Sequence, residues 1–238
     1  MLNGLDLFSG IGGLSIALAE WVRPVAYCEL GEYPRGVLLG TDVPLAPIWD
    51  DIRTFPLEEI PPIDIVYGGF PCQDISIAGP RTGLAGERSG LFFELLRLIS
   101  KLRPRFIFLE NVANITVREH ERVLSELNAL RYDCRWTIVS AAELGAQHRR
   151  ERWWLLAHAM REGLSEPRSR TPKKSKHRAA ARNTFVSLVS PRVWEKTHAE
   201  LCRMDDGIRP LTHRIEALGN AVVPIQAKEA FMRLSGLK

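Results

Sequence analysis

The sequence predicts an α/β fold in which helices cover both faces of a mostly parallel β-sheet. Short apolar runs alternate along the chain with segments of helical periodicity, an order typical of β-α-β units. Three predicted strands also end at a carboxylate or a reactive side chain, and the carboxyl ends of strands form the ligand-binding edge of open α/β sheets. With 238 residues, of which 45% are hydrophobic, the chain has enough apolar surface for one main domain.

The first β-α-β unit contains the most distinctive turn of the chain. Residues 5–8 predict a strand that ends in the glycine-rich turn at residues 9–13, and residues 14–21 predict the following helix. Residues 25–28 predict a second strand, which closes on Glu29. Glycines let a backbone approach a nucleotide closely, and a carboxylate after the next strand accepts hydrogen bonds from ribose hydroxyls. The alternative is a tight turn that needs glycine only for its positive φ angles.

The remaining strands and helices alternate up to residue 157. Asp51 lies between two of them and is a candidate for binding an adenine amino group, with a surface carboxylate as the alternative. The closing segment has helical character that Pro224 is expected to break. The predicted strands are residues 63–67, 105–109 and 153–157, and the predicted helices are residues 91–102, 119–130 and 221–234.

The composition changes abruptly after the strand at residues 153–157. Residues 161–182 contain eight Lys or Arg against two Glu, a local net charge of +6, which leaves −2 for the rest of the chain from its total of +4. We therefore predict a main domain formed by residues 1–158 plus 207–238, and a small basic insertion at residues 159–206. Such an insertion suits binding to a polyanion, and an idle solvated loop is the alternative.

The cysteine pattern predicts neither a zinc site nor a disulfide framework. Cys28, Cys72, Cys134 and Cys202 are far apart and form no Cys-x-x-Cys pair, so we expect no metal and a reducing cytoplasm. No apolar run approaches the roughly 18 residues of a membrane span, so we expect a soluble protein with no membrane partner.

Two reactive groups follow predicted strands directly. Most free cysteines are small buried apolar residues, but glycine and proline hold Cys72 on a loop just past a strand, a setting that suits a nucleophile. Glu110 follows an apolar strand, where a carboxylate is either partnered or functional because burying it alone is costly. The charged cluster at residues 148–152 reads, on composition alone, as a solvated turn.

Together these segments resemble the DNA cytosine-5 methyltransferase family. The resemblance covers residues 1–158 and 207–238, and the motifs stand in the family's order. It implies a Rossmann-like S-adenosylmethionine-dependent methyltransferase fold with a small target-recognition insertion. The motifs are Asp-Leu-Phe-Ser-Gly-Ile-Gly-Gly at residues 6–13, Gly-Gly-Phe-Pro-Cys-Gln at 68–73, Glu-Asn-Val at 110–112, Arg-Glu-Arg at 150–152 and Gly-Asn-Ala-Val-Val-Pro at 219–224.

The resemblance implies a chemical role for four residues and a cofactor site for nine. Cys72 would add to C6 of a flipped-out cytosine, while Glu110 hydrogen-bonds at N3. Arg152 would contact the flipped-out base. Arg150 would support the loop that carries the Arg-Glu-Arg motif or would contact a phosphate. The residues implied to line the site for S-adenosylmethionine are Phe8, Gly10, Ile11, Gly13, Glu29, Asp51, Pro71, Asn220 and Val222.

The resemblance also implies duplex DNA as the partner of a monomeric enzyme, in the bacterial cytoplasm or in a phage-infected cell. The basic insertion would contact phosphates without reading sequence. An RNA cytosine-5 methyltransferase and a catalytically silent homologue remain as alternatives, because the motifs alone exclude neither. The residues implied to contact nucleic acid are Ser76, Arg88, Lys173, Lys174 and Lys176.

Three features depart from the family's pattern. His148 stands where the family often has glutamine, two residues before the first arginine of the Arg-x-Arg motif. Leu30 follows Glu29, where an aromatic partner for adenine is common in the family. The recognition region is reduced to residues 159–206, which predicts a short or relaxed readout of DNA sequence.

Overall fold

Strands and helices alternate along residues 1–40, 43–71, 90–160 and 221–237, the residues that the computed structural model describes. Two short 3-10 helices, Ile52–Thr54 and Ala142–Leu144, lie in the connections. The strands are β1 (Leu2–Leu7), β2 (Val22–Cys28), β3 (Ile48–Trp49), β4 (Ile65–Gly69), β5 (Phe106–Val112), β6 (Tyr132–Ser140) and β7 (Glu151–Ala159). The helices are α1 (Gly13–Leu18), α2 (Glu32–Gly40), α3 (Gly90–Leu102), α4 (Ile115–Arg118), α5 (His120–Ala129) and α6 (Pro224–Ser235).

The described strands form one seven-stranded sheet in the order β3-β2-β1-β4-β5-β7-β6. Strands β1 to β5 are parallel, whereas β7 runs antiparallel to both of its neighbours, β5 and β6. Strands β1 to β5 therefore end, and β7 begins, at the same edge of the sheet, which we call the carboxyl edge. The prediction of a mostly parallel sheet is confirmed.

Both faces of the sheet are covered by helices, as predicted. Successive strand residues point to opposite faces, and accordingly Val66 and Trp153 belong to one buried cluster while Tyr67 and Trp154 belong to the other. The first cluster receives Phe92 and Leu95 from α3 and Val123 and Leu127 from α5, and the second receives Leu14 and Leu18 from α1 and Ala227 and Phe231 from α6.

Phe108 of β5 joins three elements on the second face. Its ring stacks on Trp154, with centroids 5.4 Å apart, and meets the Phe231 ring edge-on at 5.2 Å. Such aromatic pairs contribute roughly 0.5–1.5 kcal/mol each beyond the area that they bury. Helix α6, close to the C-terminus, is thereby fixed against the centre of the sheet.

Strand β2 is longer than predicted, because it begins at Val22 and includes Pro24. Proline is tolerated in a strand where its missing N–H faces no partner. The outer neighbour β3 pairs only with Tyr27 and Cys28. The predicted start of this strand after Pro24 is therefore wrong, because the missing N–H of proline needs no partner at this position.

Two further differences concern the end of the chain and the edge of the sheet. Pro224 does not break the last helix but begins it, because the first helical position needs no backbone N–H partner. The edge strand β6 is absent from the sequence-based expectations, as are α2 and β3. Tyr132 and Val139 of β6 are buried while Arg135 is exposed, so its alternation of polarity is only partial.

No helix among the described residues is both long and apolar enough to cross a membrane. In the same part of the chain, no group of three or more His, Cys, Asp or Glu side chains could hold a metal ion. Cys28 is buried and Cys134 is partly buried, and both thiols are free. The predicted insertion at residues 159–206 lies outside the described residues beyond Met160 and stays a prediction.

Candidate active site

The glycine turn lies at the carboxyl edge, directly after β1. Phe8, Gly10 and Gly12 all have positive φ angles, at 56°, 55° and 85°, so the strand ends at Leu7, one residue earlier than predicted. Ser9 fastens the turn, because its hydroxyl donates to the Asp6 carbonyl at 2.8 Å and its backbone N–H donates to the Cys28 carbonyl at 3.2 Å. The turn therefore needs glycine for its positive φ angles, and this need does not exclude a ligand-binding role.

Glu29 is held beside this turn. Its Oε2 accepts from the Gly10 N–H at 2.8 Å, and its Oε1 accepts from the Gly31 N–H at 2.7 Å. The Arg35 guanidinium donates to the carbonyl of Leu30 at 2.7 Å, which closes the turn after Glu29. A carboxylate offers about four lone-pair sites, so Glu29 retains acceptor capacity after these two bonds.

A buried carboxyl, Asp6, lies beneath the turn. The Ser15 hydroxyl donates to its Oδ2 at 2.6 Å and also contacts the Tyr67 hydroxyl at 2.8 Å. Burial raises the pKa of Asp6 to about 7, against the Ser15 hydrogen bond, which lowers it, and with Glu29, which raises it. Sequence reasoning gave Asp6 no separate role, although an acidic residue inside an apolar strand is the signal that marks it.

Asp51 caps the 3-10 helix that follows β3. Its carboxylate accepts from the Arg53 backbone N–H at 2.9 Å and forms an ion pair with the Arg53 side chain, also at 2.9 Å. These hydrogen bonds lower the pKa of Asp51. Arg97 of α3 donates to the carbonyl of Ile52 at 3.1 Å, which anchors the turn to the core. Asp51 is thus a partly exposed carboxylate whose ion-pair partner is Arg53.

Glu110 and Arg152 form an ion pair at the same edge. Glu110 lies within β5 rather than after it, and the Arg152 Nε lies 2.7 Å from its Oε1. Their side chains are only 13% and 18% exposed. Burial raises the pKa of Glu110, while Arg152 and Arg150 act in the opposite direction. The solvated-turn interpretation of residues 148–152 is wrong for Arg152, because the antiparallel strand β7 pairs it with Val112, two residues after Glu110 and on the same face of the sheet.

Two neighbours of Glu110 shape this edge of the sheet. Gly69 lies opposite it in β4, where a Cβ atom would come within 2.9 Å of the Glu110 Oε2. Asn111 is 1% exposed, and its amide donates to the Phe70 carbonyl at 3.2 Å. That bond anchors the backbone that leads into Pro71, which is half-buried. Sequence reasoning did not identify Gly69 or Asn111 as site residues.

Residues from the end of the chain complete the edge. Arg150 donates from Nη2 to the Ala221 carbonyl at 2.7 Å. Gln226, also unidentified from sequence, donates to the Arg150 carbonyl at 2.7 Å. A Cβ atom on Gly13 would lie 2.8 Å from the Val222 carbonyl, so only glycine allows this close approach to the turn.

One cavity of about 50 Å³ lies at the carboxyl edge, and several of the elements described above border it. It brings together residues of the glycine turn, of β4 and β5, and of the segment before α6, whereas Glu29, Asp51 and Pro71 do not line it. A larger cavity of about 660 Å³ lies at the opposite edge of the sheet, near Met1 and Phe106, and none of the predicted site residues that the structure describes lines it. The smaller cavity is lined by Phe8, Ser9, Gly10, Ile11, Gly13, Leu14, Gly69, Glu110, Ala221 and Val222.

The remaining predicted site residues are not placed by the structure. They fall in residues 72–89 and 161–220, outside the described ranges. These residues are Cys72, Ser76, Arg88, Lys173, Lys174, Lys176 and Asn220.

The sheet order with its reversed strand β7, together with the glycine turn at the carboxyl edge, defines an S-adenosylmethionine-dependent methyltransferase fold. The Spodoptera frugiperda DNMT2 structure has this fold, with a TM-score of 0.57 at 20% identity, covering 73% of this chain and 56% of that chain. The S. pombe Dnmt2 methyltransferase aligns with a TM-score of 0.54 at 21% identity, over 69% of this chain and 51% of that chain.

Sequence comparison defines the family within that class. The chain belongs to the C-5 cytosine-specific DNA methylase family, whose profile matches residues 2–229. Type II methyltransferase M.CviJI of Paramecium bursaria Chlorella virus IL3A is 31% identical over 233 residues, 97% of this chain and 58% of that protein. Type II methyltransferase M.HhaI of Haemophilus parahaemolyticus is 30% identical over 86% of this chain and 61% of that protein. The chain therefore spans about three fifths of the length of these two relatives.

Proposed function

We propose that this chain transfers a methyl group from S-adenosylmethionine to C5 of cytosine in duplex DNA, through a covalent adduct of Cys72 with a flipped-out base. The observation that carries the proposal is the shared cavity, because it joins the glycine turn to the Glu110 carboxyl that pairs with Arg152. A methyl donor on the turn and a base against Glu110 would meet there. Family membership supports the same reaction.

Cys72 answers the central chemical problem, which is that C5 of cytosine is too weak a nucleophile to attack a methyl group unaided. Addition of the Cys72 thiolate to C6 makes C5 nucleophilic, and C5 then takes the methyl group. A base removes the C5 proton, and the C6–S bond breaks to release the thiolate and restore the ring. The Asn111 hydrogen bond to the Phe70 carbonyl supports this role, since it anchors the backbone two residues before Cys72.

Glu110 is proposed to stabilise the charge that develops at N3 of the base. An acid that donates a hydrogen bond there is most useful in its protonated form. Burial raises the pKa of Glu110, which favours that form. Arg152 forms a 2.7 Å ion pair with this carboxyl and would contact the same base, while Arg150, which donates to the Ala221 carbonyl, would support the strand.

The residues around the turn fit S-adenosylmethionine. The space beside Gly10 is open in the described part of the chain, since apart from its two chain neighbours no described residue lies within 4 Å of the position of a Cβ atom, and a ligand can therefore approach the backbone. Glu29 would accept hydrogen bonds from the ribose hydroxyls, and Asp51 would face the adenine amino group. The bound cofactor would supply an electrophilic methyl group on a sulfonium. Phe8, Ile11, Gly13, Pro71, Asn220 and Val222 complete the proposed site.

Duplex DNA is the proposed substrate, and the target base must leave the duplex because its ring is not reachable from both sides within it. The net charge of +6 over residues 161–182 would supply phosphate contacts and a strong salt dependence. We propose a monomeric modification enzyme of a bacterial cytoplasm or a phage-infected cell, in line with the Type II methyltransferases among its relatives. The proposed DNA contacts are Ser76, Arg88, Lys173, Lys174 and Lys176.

The test is transfer of tritiated methyl from S-adenosylmethionine to mixed-sequence duplex DNA, with Cys72→Ala in parallel and bisulfite sequencing of the product. Incorporation that disappears in the variant and maps to C5 of cytosine is the expected result. Equal incorporation by the variant would overturn the covalent mechanism.

A parallel arm with transfer RNA separates the two nucleic acids as substrates. Incorporation into RNA alone would overturn the DNA assignment while preserving the chemistry. Cofactor binding without transfer to either substrate would identify a catalytically silent homologue.

A further inference from the structure

Gln226 lies at a junction of three elements and has no part in the mechanism above. It belongs to the first turn of α6 and is 0% exposed. Its Nε2 donates to the Val139 carbonyl of β6 at 2.6 Å and to the Arg150 carbonyl, directly before β7, at 2.7 Å. Both partners are carbonyl oxygens, so only the NH₂ end of the amide can face them. Gln226 thus ties α6 to both strands of the β6–β7 hairpin.

The other end of the amide indicates why the residue is a glutamine. Its Oε1 is buried and has no hydrogen-bond partner among the described residues. An acceptor left in that state is costly, and an apolar side chain of the same length would avoid the cost. The compensating interaction within the described structure is the donation to the two carbonyls.

Gln226 holds the start of β7, and this segment carries Arg150 and Arg152. Arg150 is bound at two points, by Gln226 at its carbonyl and by the Ala221 carbonyl at its guanidinium. Ser140 adds a third bond, since its hydroxyl donates to the Arg149 carbonyl at 2.7 Å. Arg152 follows two residues later, about 7 Å along an extended strand, and there it pairs with Glu110. A shift at Arg150 would therefore move Arg152.

We propose that Gln226 is a positioning residue that fixes the start of β7 and, through Arg150, the placement of Arg152 against Glu110. This inference rests on the proposed methyl transfer. A displacement of about 1 Å at a reacting centre can cost on the order of 100-fold in rate. Loss of the two hydrogen bonds therefore lowers kcat, whereas cofactor binding at Glu29 and the glycine turn is not affected.

The test compares Gln226→Met with Leu234→Ala in the full-length chain. Methionine keeps the length of the side chain and removes both donors. Leu234 is 7% exposed and lies near the other end of α6, where it borders a cavity together with His158 at the far end of β7. Gln226→Met is expected to lower kcat by about 10- to 100-fold with the KM for S-adenosylmethionine within twofold of wild type. Leu234→Ala is expected to lower Tm and leave kcat within twofold.

Amide hydrogen exchange at residues 149–154 gives a readout that does not depend on activity. Exchange there is expected to rise in Gln226→Met and to stay unchanged in Leu234→Ala. If Gln226→Met does not fold, Gln226→Asn, which keeps the amide on a shorter side chain, is measured in the same way.

Either a kcat within twofold of wild type or unchanged exchange at residues 149–154 overturns the positioning role. A wild-type enzyme that transfers no methyl group overturns the proposed function instead, and the exchange comparison then decides alone whether Gln226 positions β7.

Discussion

The two halves of the candidate site are assembled in different ways. In the turn region, formed by residues 6–13 and Glu29, the fixing hydrogen bonds join residues 3 and 19 positions apart. In the pair region, formed by Glu110, Arg150, Arg152 and Gln226, they join residues 71 and 87 positions apart. The turn region is thus built within one β-α-β unit, whereas the pair region depends on the whole sheet and on α6. We therefore expect substitutions in other parts of the sheet or in α6 to disturb the pair region more than the turn region.

The sharpest separation of the two regions is expected from Glu110→Gln. The amide keeps the shape of the side chain, but it can neither form the anion that pairs with Arg152 in the free protein nor form the acid that gives a proton to N3 of the base. We expect kcat for methyl transfer to fall on the order of 10²- to 10³-fold, with the KM for S-adenosylmethionine unchanged. Steady-state kinetics with both substrates varied would measure this. A raised cofactor KM with normal kcat would place Glu110 in the turn region.

Asp6→Asn tests the foundation of the turn region. Burial raises the pKa of Asp6 from 3.8 to about 7, so the folded protein holds a proton that the unfolded chain has released. The stability from that proton is fully present below about pH 4 and is lost as the pH rises through about 7. Because asparagine does not titrate, the free energy of unfolding of wild type should fall relative to the variant by about 2–3 kcal/mol between pH 5 and pH 8. Urea unfolding at both pH values measures it, and parallel pH profiles would contradict it.

The turn region is also the part of the site that sequence reasoning identified, and the reason is its locality. A strand, a glycine turn and Glu29 after the next strand form a pattern that one unit specifies by itself. The pair region was only partly predictable. Glu110 follows from an acidic residue at an apolar strand, but Arg152 reads as a solvated charge until the reversed strand β7 pairs it with Val112.

The remaining failures have the same physical origin. Gln226 is one polar residue in an amphipathic helix, and its complete burial depends on which side of α6 meets the β6–β7 hairpin. Strand β6 has only partial alternation of polarity, since its buried residues stand only at its two ends. Tertiary contacts decide both the burial of Gln226 and the polarity pattern of β6, so no local sequence pattern predicts them.

Glu29→Gln should show the reverse of the Glu110 result. Both carboxylate oxygens accept from backbone N–H groups, at Gly10 and Gly31, and glutamine would set an NH₂ group against one of those donors. We expect the Kd for S-adenosylmethionine to rise about tenfold, with kcat at saturating cofactor within twofold. Isothermal titration calorimetry gives the Kd, and Glu32→Gln, an exposed acid in α2, is the matched control. Equal changes in both variants would exclude a specific role for Glu29.

The smallest expected effect is a gain, from Leu30→Trp. The Leu30 side chain is 62% exposed and adjoins Glu29, the carboxylate proposed to bind the ribose of the cofactor. A tryptophan ring there offers a stacking plane, and exposed stacking contributes only about 0.5–1 kcal/mol, so the Kd for S-adenosylmethionine should fall about threefold with kcat unchanged. Leu39→Trp, at a leucine of α2 that is 67% exposed, controls for a nonspecific effect of the ring. A tighter Kd in Leu30→Trp alone would locate adenine beside Glu29, in the same β-α-β unit as the glycine turn. Weaker binding, or the same gain in both variants, would show that adenine does not lie beside residue 30.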